Sequence, residues 1–312
     1  MLFFGGDWLV AGASWVARRY GVSKLVVGLT LVAFGTSAPE LAVSVYSVLK
    51  GEPDIAVGNV VGSNIVNILL VLGASALVHP IQVGSSLLRS DLPFLMVVSL
   101  LSFFLAFDGS IGRFEGLFLF LLLVGYLFRL FYKASKLGEV SEVIDLDEID
   151  EAEVGSDESA IKEISKLIGG VVILIVGSKF FIDGATQMAH NFGVSDAVIG
   201  LSVVALGTSL PEVAASVVAA FRGQSAIALG NVIGSNIFNL LAVMGITSMI
   251  SKVGVEVSSE ILTQDFPLMI LITALCFPLL ITGNIVSRVE GGFLLLSYGV
   301  YLAYIFGFIA IG

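Results

Sequence analysis

Residues 5–77 are written a second time at 177–249. Sliding one stretch onto the other at a constant offset of 172, without a gap, leaves 34 identities in 73 positions. Gly21-Val22-Ser23 falls on Gly193-Val194-Ser195, and GNVVGSNIVN at 58–67 falls on GNVIGSNIFN at 230–239. Weaker echoes follow: Asp91 and Pro93 return as Asp265 and Pro267, and Arg113, Glu115 and Gly116 as Arg288, Glu290 and Gly291. The chain is therefore expected to fold as two homologous halves. Neither half reads as soluble. With 57% hydrophobic and 13% charged residues, and a mean hydropathy of +1.02, there are too few charges to cover a soluble surface. Apolar segments recur to the last residue, which predicts a polytopic membrane protein rather than a signal peptide ahead of a soluble domain.

Ten spans are predicted, near 2–18, 23–48, 54–78, 88–107, 112–134, 163–189, 195–221, 226–250, 261–282 and 287–311. The fold class is thus an all-α polytopic membrane protein of two five-helix repeats: residues 1–135 with a motif at 30–73, and 161–312 with its copy at 202–245. An acidic linker at 136–160 separates them. Residues 139–159 carry ten acidic side chains and no basic one, and Asp145, Asp147 and Asp150 lack the spacing of an EF-hand, so a solvated connection is expected. Five is odd, so the second half must enter the membrane in the opposite sense. With the N-terminus outside, the inside loops and flanks hold eleven basic residues, among them Arg18, Arg19, Lys133, Lys136 and Arg222. The outside loops hold only Lys50, Arg113 and Lys252. Both termini are expected to be extracellular and the acidic linker cytoplasmic. Inverted repeats with broken helices are the mark of secondary transporters that work by alternating access.

The halves share GTSAPE at 35–40 and GTSLPE at 207–212. Each places one carboxylate, Glu40 or Glu212, inside an apolar run, where a charge costs roughly 2.5–3.5 kcal/mol on insertion scales and so marks a candidate functional site. Pro39 and Pro211 lack an N–H and crowd the carbonyl of Gly35 or Gly207, so the helix must break or kink and free main-chain oxygens beside the carboxylate. Thr36, Glu40 and Ser44 recur every four residues, as do Asn59, Ser63 and Asn67 on the next span. The second half repeats both sets as Thr208, Glu212, Ser216 and Asn231, Ser235, Asn239. All of these side chains offer oxygen. Such a set suits hard cations such as Ca²⁺, Na⁺ or Mg²⁺, with Ca²⁺ more tolerant of irregular coordination, and argues against zinc, copper or iron. For Ser44, Ser216, Asn59, Asn231, Asn64 and Asn236, ligation and plain helix–helix hydrogen bonding are equally good readings. Gly58 with Gly62, and Gly230 with Gly234, are either packing contacts or parts of the site. Asp7 and Asp183 match Lys179 and Ala11 across the repeat, so no symmetry supports them as ligands. The lone Cys276 excludes a disulfide framework or a cysteine zinc site.

At the paired GTSxPE and GNVxGSNxxN motifs the sequence resembles the calcium/cation antiporter superfamily, and within it the prokaryotic sodium/calcium exchangers. The resemblance covers nearly the whole chain. It implies ten helices in two inverted halves around a diamond of ion sites. Glu40 and Glu212 would hold Ca²⁺, helped by Thr36 and Thr208. Na⁺ sites would fall on Ala33, Ser37 and Ser63 on one side and on Ala205, Ser209 and Ser235 on the other, with Asn67 and Asn239 completing the centre. Some members carry Asp where this chain has Asn239, so stoichiometry and dependence on K⁺ or H⁺ do not carry over. In the family the first and sixth helices slide together across the core. Here Met1 aligns with Ile173 while the sixth span opens near 163, so the first span lacks the matching stretch: either the true start lies upstream or the helix is stunted.

The expected function is electrogenic exchange of Na⁺ for Ca²⁺ across the cell membrane, without a cofactor, by a protein that works as a monomer in the bilayer and binds no nucleic acid. A Ca²⁺/H⁺ or K⁺-dependent exchanger is the alternative. A passive cation channel would more naturally use rings of identical subunits. A membrane hydrolase built on the two glutamates lacks a nucleophile, so no enzyme is expected.

Overall fold

The protein is described from a computed structural model, over residues 1–137, 157–191 and 205–305. It is almost wholly helical. In chain order the helices are α1 Leu2–Tyr20, α2 Lys24–Thr36, α3 Ala38–Lys50, α4 Pro53–Val78, α5 Leu87–Leu105, α6 Arg113–Leu137, α7 Asp157–Asn191, α8 Ala205–Thr208, α9 Leu210–Phe221, α10 Ser225–Ile250, α11 Ile261–Asn284 and α12 Arg288–Ile305. Among the described residues six helices are long and apolar enough to cross a membrane, and α2 with α3 makes a seventh if counted as one bent span. Most of the acidic linker, the opening of the predicted seventh span and the end of the tenth lie outside the described residues. The stretch of α7 apolar enough to span a membrane, Ala160–Met188, lies close to the expected 163–189, and the helix itself begins at Asp157 within the acidic linker.

The helix break falls at Ser37, two residues before the proline. Its backbone (φ −82°, ψ 6°) leaves the helical region, and α2 and α3 meet there at 43°. Pro39 then sits in the first turn of α3, where a missing N–H costs nothing. Ser209 repeats this with φ −84° and ψ 2°, ahead of Pro211 in α9. The proline thus starts the second helix rather than kinking the first. Both α4 and α10 instead run unbroken through the middle of the molecule, each widened by a π-turn that begins at the last residue of its motif, at Asn67 and Asn239. These two helices are the most deeply buried, whereas α6, α7 and α11 leave broad apolar faces exposed, as lipid-facing helices do.

The weaker echoes of the repeat explain how the halves are clipped together. Strand β1 (Ile81–Gln82) pairs antiparallel with β4 (Ile285–Val286), and β2 (Ser110–Ile111) with β3 (Val255–Glu256), so each ribbon takes one strand from each half. Arg113 donates to the carbonyl of Ser251 at 2.5 Å, just past the end of α10, and Arg288 donates to that of Val78 at 3.3 Å, at the end of α4. Glu115 and Glu290 cap their own helices, accepting from the main-chain N–H of Gly112 at 2.6 Å and of Ser287 at 2.7 Å. Gly116 and Gly291 let main chains touch: a β-carbon on Gly116 would stand 2.6 Å from the Gly245 carbonyl, and one on Gly291 would stand 2.8 Å from that of Gly73. Arg, Glu and Gly therefore recur because each half anchors its last helix on the other half's buried helix. Of the other glycines, Gly230 and Gly234 pack against the main chain of α2 at Leu25 and Leu29, a contact too close for any side chain. This decides them as packing residues.

Helix α1 lies along α7 and reaches α9. Gly5 and Gly170 abut, and Gly6 meets the Ala214 carbonyl. Asp7 forms an ion pair with Arg222 just past the end of α9, which gives that aspartate a partner other than an ion.

Candidate functional site

Glu40 and Glu212 are fully buried, each in the first turn of its short helix. A carboxylate there gains about 0.3–1 kcal/mol from the helix dipole. Neither forms an ion pair among the described residues. What they receive are hydroxyls, and the donors come from the opposite half. Ser37 donates to Glu212 Oε1 at 3.1 Å, and Ser209 donates to Glu40 Oε1 at 3.3 Å. The threonines cross in the same way: Thr36 donates to Asn231 Oδ1 at 3.0 Å and Thr208 to Asn59 Oδ1 at 3.3 Å. Each break thus presents its Thr-Ser pair to the other half's glutamate and asparagine.

Ser235 lies 3.4 Å from both Glu212 Oε1 and Thr36 Oγ1, and Ser63 accepts from Ser209 at 3.2 Å. Between α4 and α10, Asn67 donates to Asn236 Oδ1 at 3.0 Å, and Asn236 donates to the Asn64 carbonyl at 3.4 Å. Ala33 is buried, its carbonyl 3.3 Å from Thr36 Oγ1; the surroundings of the Ala205 side chain lie outside the described residues. Eleven of the twelve predicted residues are thus buried, although the side chains of Asn67 and Asn239 bond to none of the others. The Asn239 side chain bonds to nothing among the described residues. Both its amide atoms, with Glu40 Oε2, Glu212 Oε2 and Asn67 Oδ1, are buried without a hydrogen-bond partner among the described residues. Four of these five atoms are oxygens, one from each carboxylate and two from amides, a combination that favours a cation.

Ser44 and Ser216, for which ligation and packing were equal readings, are packing residues. Each donates to a carbonyl of the next helix, Ala56 at 3.3 Å and Ala228 at 3.5 Å, and each accepts from an asparagine at 2.9 Å. One contributor escapes the sequence reading. Ser178 of α7, fully buried, donates to the Gly207 carbonyl, the oxygen that Pro211 leaves without an amide. Proline arithmetic marks that carbonyl as free, but the repeat hides its partner, since the residue matching Ser178 is Gly6.

A buried all-oxygen site shared between two broken apolar helices defines a multi-pass membrane transport protein, not an enzyme. A profile of the family described as Sodium/calcium exchanger protein matches residues 1–132 and 163–307, and the chain belongs to that family. The sodium/calcium exchanger MaX1 of Methanosarcina acetivorans is 33% identical over 97% of this chain and 94% of its own. The inner membrane protein YrbG of Escherichia coli is 36% identical over 88% of this chain and 83% of its own. Among solved structures, the sodium-calcium exchanger NCX_Mj soaked with Na⁺ and Ca²⁺ superposes with a TM-score of 0.80 at 31% identity, over 97% of this chain and 94% of that one.

Proposed function

We propose that the protein exchanges Na⁺ for Ca²⁺ by alternating access, through ten spans arranged as two inverted halves, residues 1–135 and 161–312, joined by a cytoplasmic linker. The observation that carries this reading is the crossed set of hydrogen bonds, Ser37 to Glu212 and Ser209 to Glu40, around two buried carboxylates with no basic partner among the described residues. A buried pair of like charges is costly unless compensated. One Ca²⁺, or Na⁺ ions in its place, supplies that compensation, so the charge on the site selects its cargo. Thr36 and Thr208 assist at the Ca²⁺ position. Ala33, Ser37 and Ser63 hold Na⁺ on one side, Ala205, Ser209 and Ser235 on the other, and Asn67 and Asn239 close the centre.

Exchange should need Na⁺ but not K⁺. Asn67 and Asn239 offer carbonyl oxygens without charge, so the two glutamates already balance one Ca²⁺, and an added K⁺ would be a buried cation without a counter-charge. Sodium-loaded proteoliposomes diluted into Ca²⁺ should take it up equally well in K⁺ or choline medium. An absolute requirement for K⁺ would show that Asn67 and Asn239 do not set the charge balance of the site, and uptake without any outward Na⁺ gradient would point to a Ca²⁺/H⁺ exchanger or a channel.

A further inference from the structure

Asn59 and Asn231 stand one step behind the glutamates, and six of their hydrogen-bonding contacts form two matching sets. The Asn59 amide donates to the main-chain carbonyl of Glu40 at 3.1 Å and to Ser44 Oγ at 2.9 Å, while its Oδ1 accepts from Thr208. The Asn231 amide donates to the carbonyl of Glu212 at 3.4 Å and to Ser216 Oγ at 2.9 Å, while its Oδ1 accepts from Thr36. Both side chains are buried. Turning either amide over would set its oxygen against a carbonyl, so only one orientation satisfies the contacts. The donors are then spent on the half to which the asparagine belongs, and the acceptor takes the threonine hydroxyl of the other half, joined at Asn231 by Ser235 at 3.5 Å.

Resting on the exchanger reading above, we infer that Asn59 and Asn231 are positioning residues rather than ion ligands: each ties the threonine hydroxyl of one half to the main chain of the other half's glutamate, so that the half-sites bind Ca²⁺ as a single unit. A ligand role would require Oδ1 to turn to the ion. A positioning role leaves it on the threonine and makes the affinity of one half depend on a hydroxyl supplied by the other. The pair Asn231 and Thr36 is the better probe because its contact is the shorter, although the carbonyls of Val32 and Ala33, at 3.1 and 3.3 Å, compete for the one Thr36 proton.

The test is calorimetric titration of Ca²⁺ into the purified full chain, which does not depend on transport. Asn231→Ala and Thr36→Val should each weaken binding about tenfold or more, since both break the link between Asn231 and Thr36. The double variant should lose no more than Asn231→Ala alone, because Thr36→Val removes a link already gone, whereas Asn231→Ala with Thr208→Val should lose about tenfold more than Asn231→Ala alone. Thr36→Ser keeps the hydroxyl and should bind Ca²⁺ more tightly than Thr36→Val. Asn231→Asp keeps the acceptor but loses both donors, so it should weaken binding, whereas a ligand would bind Ca²⁺ more tightly as a carboxylate. Tighter binding by Asn231→Asp, or multiplying losses in the Asn231→Ala, Thr36→Val pair, overturns the inference while leaving the exchanger reading intact. If Asn231→Ala does not give monodisperse protein, Asn231→Asp and its counterpart Asn59→Asp decide: tighter binding by either overturns the inference, and weaker binding by both supports it. Should the unsubstituted protein bind no Ca²⁺, the exchanger reading fails, and the inference with it.

Discussion

Glu40 and Glu212 are ordinary residues in an extraordinary solvent. Each is fully buried, each has one oxygen held by a serine of the opposite half, and each has its second oxygen without a protein partner among the described residues. Replacing either with glutamine preserves size and hydrogen-bonding reach but halves the charge of the site, leaving a buried divalent cation poorly compensated. Glu40→Gln and Glu212→Gln should therefore each cut Ca²⁺ exchange by about a hundredfold or more, while the proteins still insert and purify as single species. Radiolabelled Ca²⁺ uptake into Na⁺-loaded proteoliposomes measures this, and substantial exchange by either variant would remove the glutamates from the centre of the mechanism. The same physics made them legible in the sequence. A charge in an apolar run needs a reason, and finding it twice at one offset supplies that reason. Ser178 was not legible, because its role depends on an oxygen freed by Pro211 on another helix and its repeat counterpart has no side chain.

At the scale of elements, apolar runs longer than eighteen residues revealed most of the helices, and the proline in each motif revealed that a helix would break. The position of each break was not visible. Proline is disfavoured inside a helix yet comfortable in its first turn, so the chain leaves the helix at Ser37 and Ser209, ahead of the proline. The two-residue strands of each ribbon carry no periodicity that a sequence could show. Their flanking Arg, Glu and Gly echoes were visible, but their meaning depended on contacts between the halves. Those contacts make a sharp prediction. A methyl group at Gly291 would meet the Gly73 carbonyl at 2.8 Å and the Leu77 amide nitrogen at 2.9 Å, whereas one at Gly292 meets nothing within 4 Å among the described residues. Gly291→Ala should lower stability by about 1–3 kcal/mol through overpacking. Its neighbour Gly292→Ala should be neutral or stabilising by up to about 1 kcal/mol, since alanine favours the helix. Thermal denaturation in detergent compares them directly, and a like-signed shift for both would contradict the close approach of α12 to α4.

For the whole molecule, the proposed inversion of the halves follows from five spans apiece and from the bias of basic residues, so it is tested by sidedness. In a Cys276→Ala background, a cysteine at Asp150 should react with an impermeant maleimide only from the cytoplasmic face, and one at Gly312 only from outside. Labelling of both from one face would overturn the inversion. The crossed hydrogen bonds bear on a different matter, the order of events while the chain is being made. Ser209 follows Glu40 by 169 residues, and Thr208 follows Asn59 by 149. At a synthesis rate of roughly 5–20 residues per second, the first carboxylate waits about 10–30 s for the hydroxyl that will hold it. During that interval the first half is a nascent chain with a glutamate in an apolar segment and no opposite half to receive it, so the membrane insertion machinery, rather than the finished fold, has to tolerate the charge.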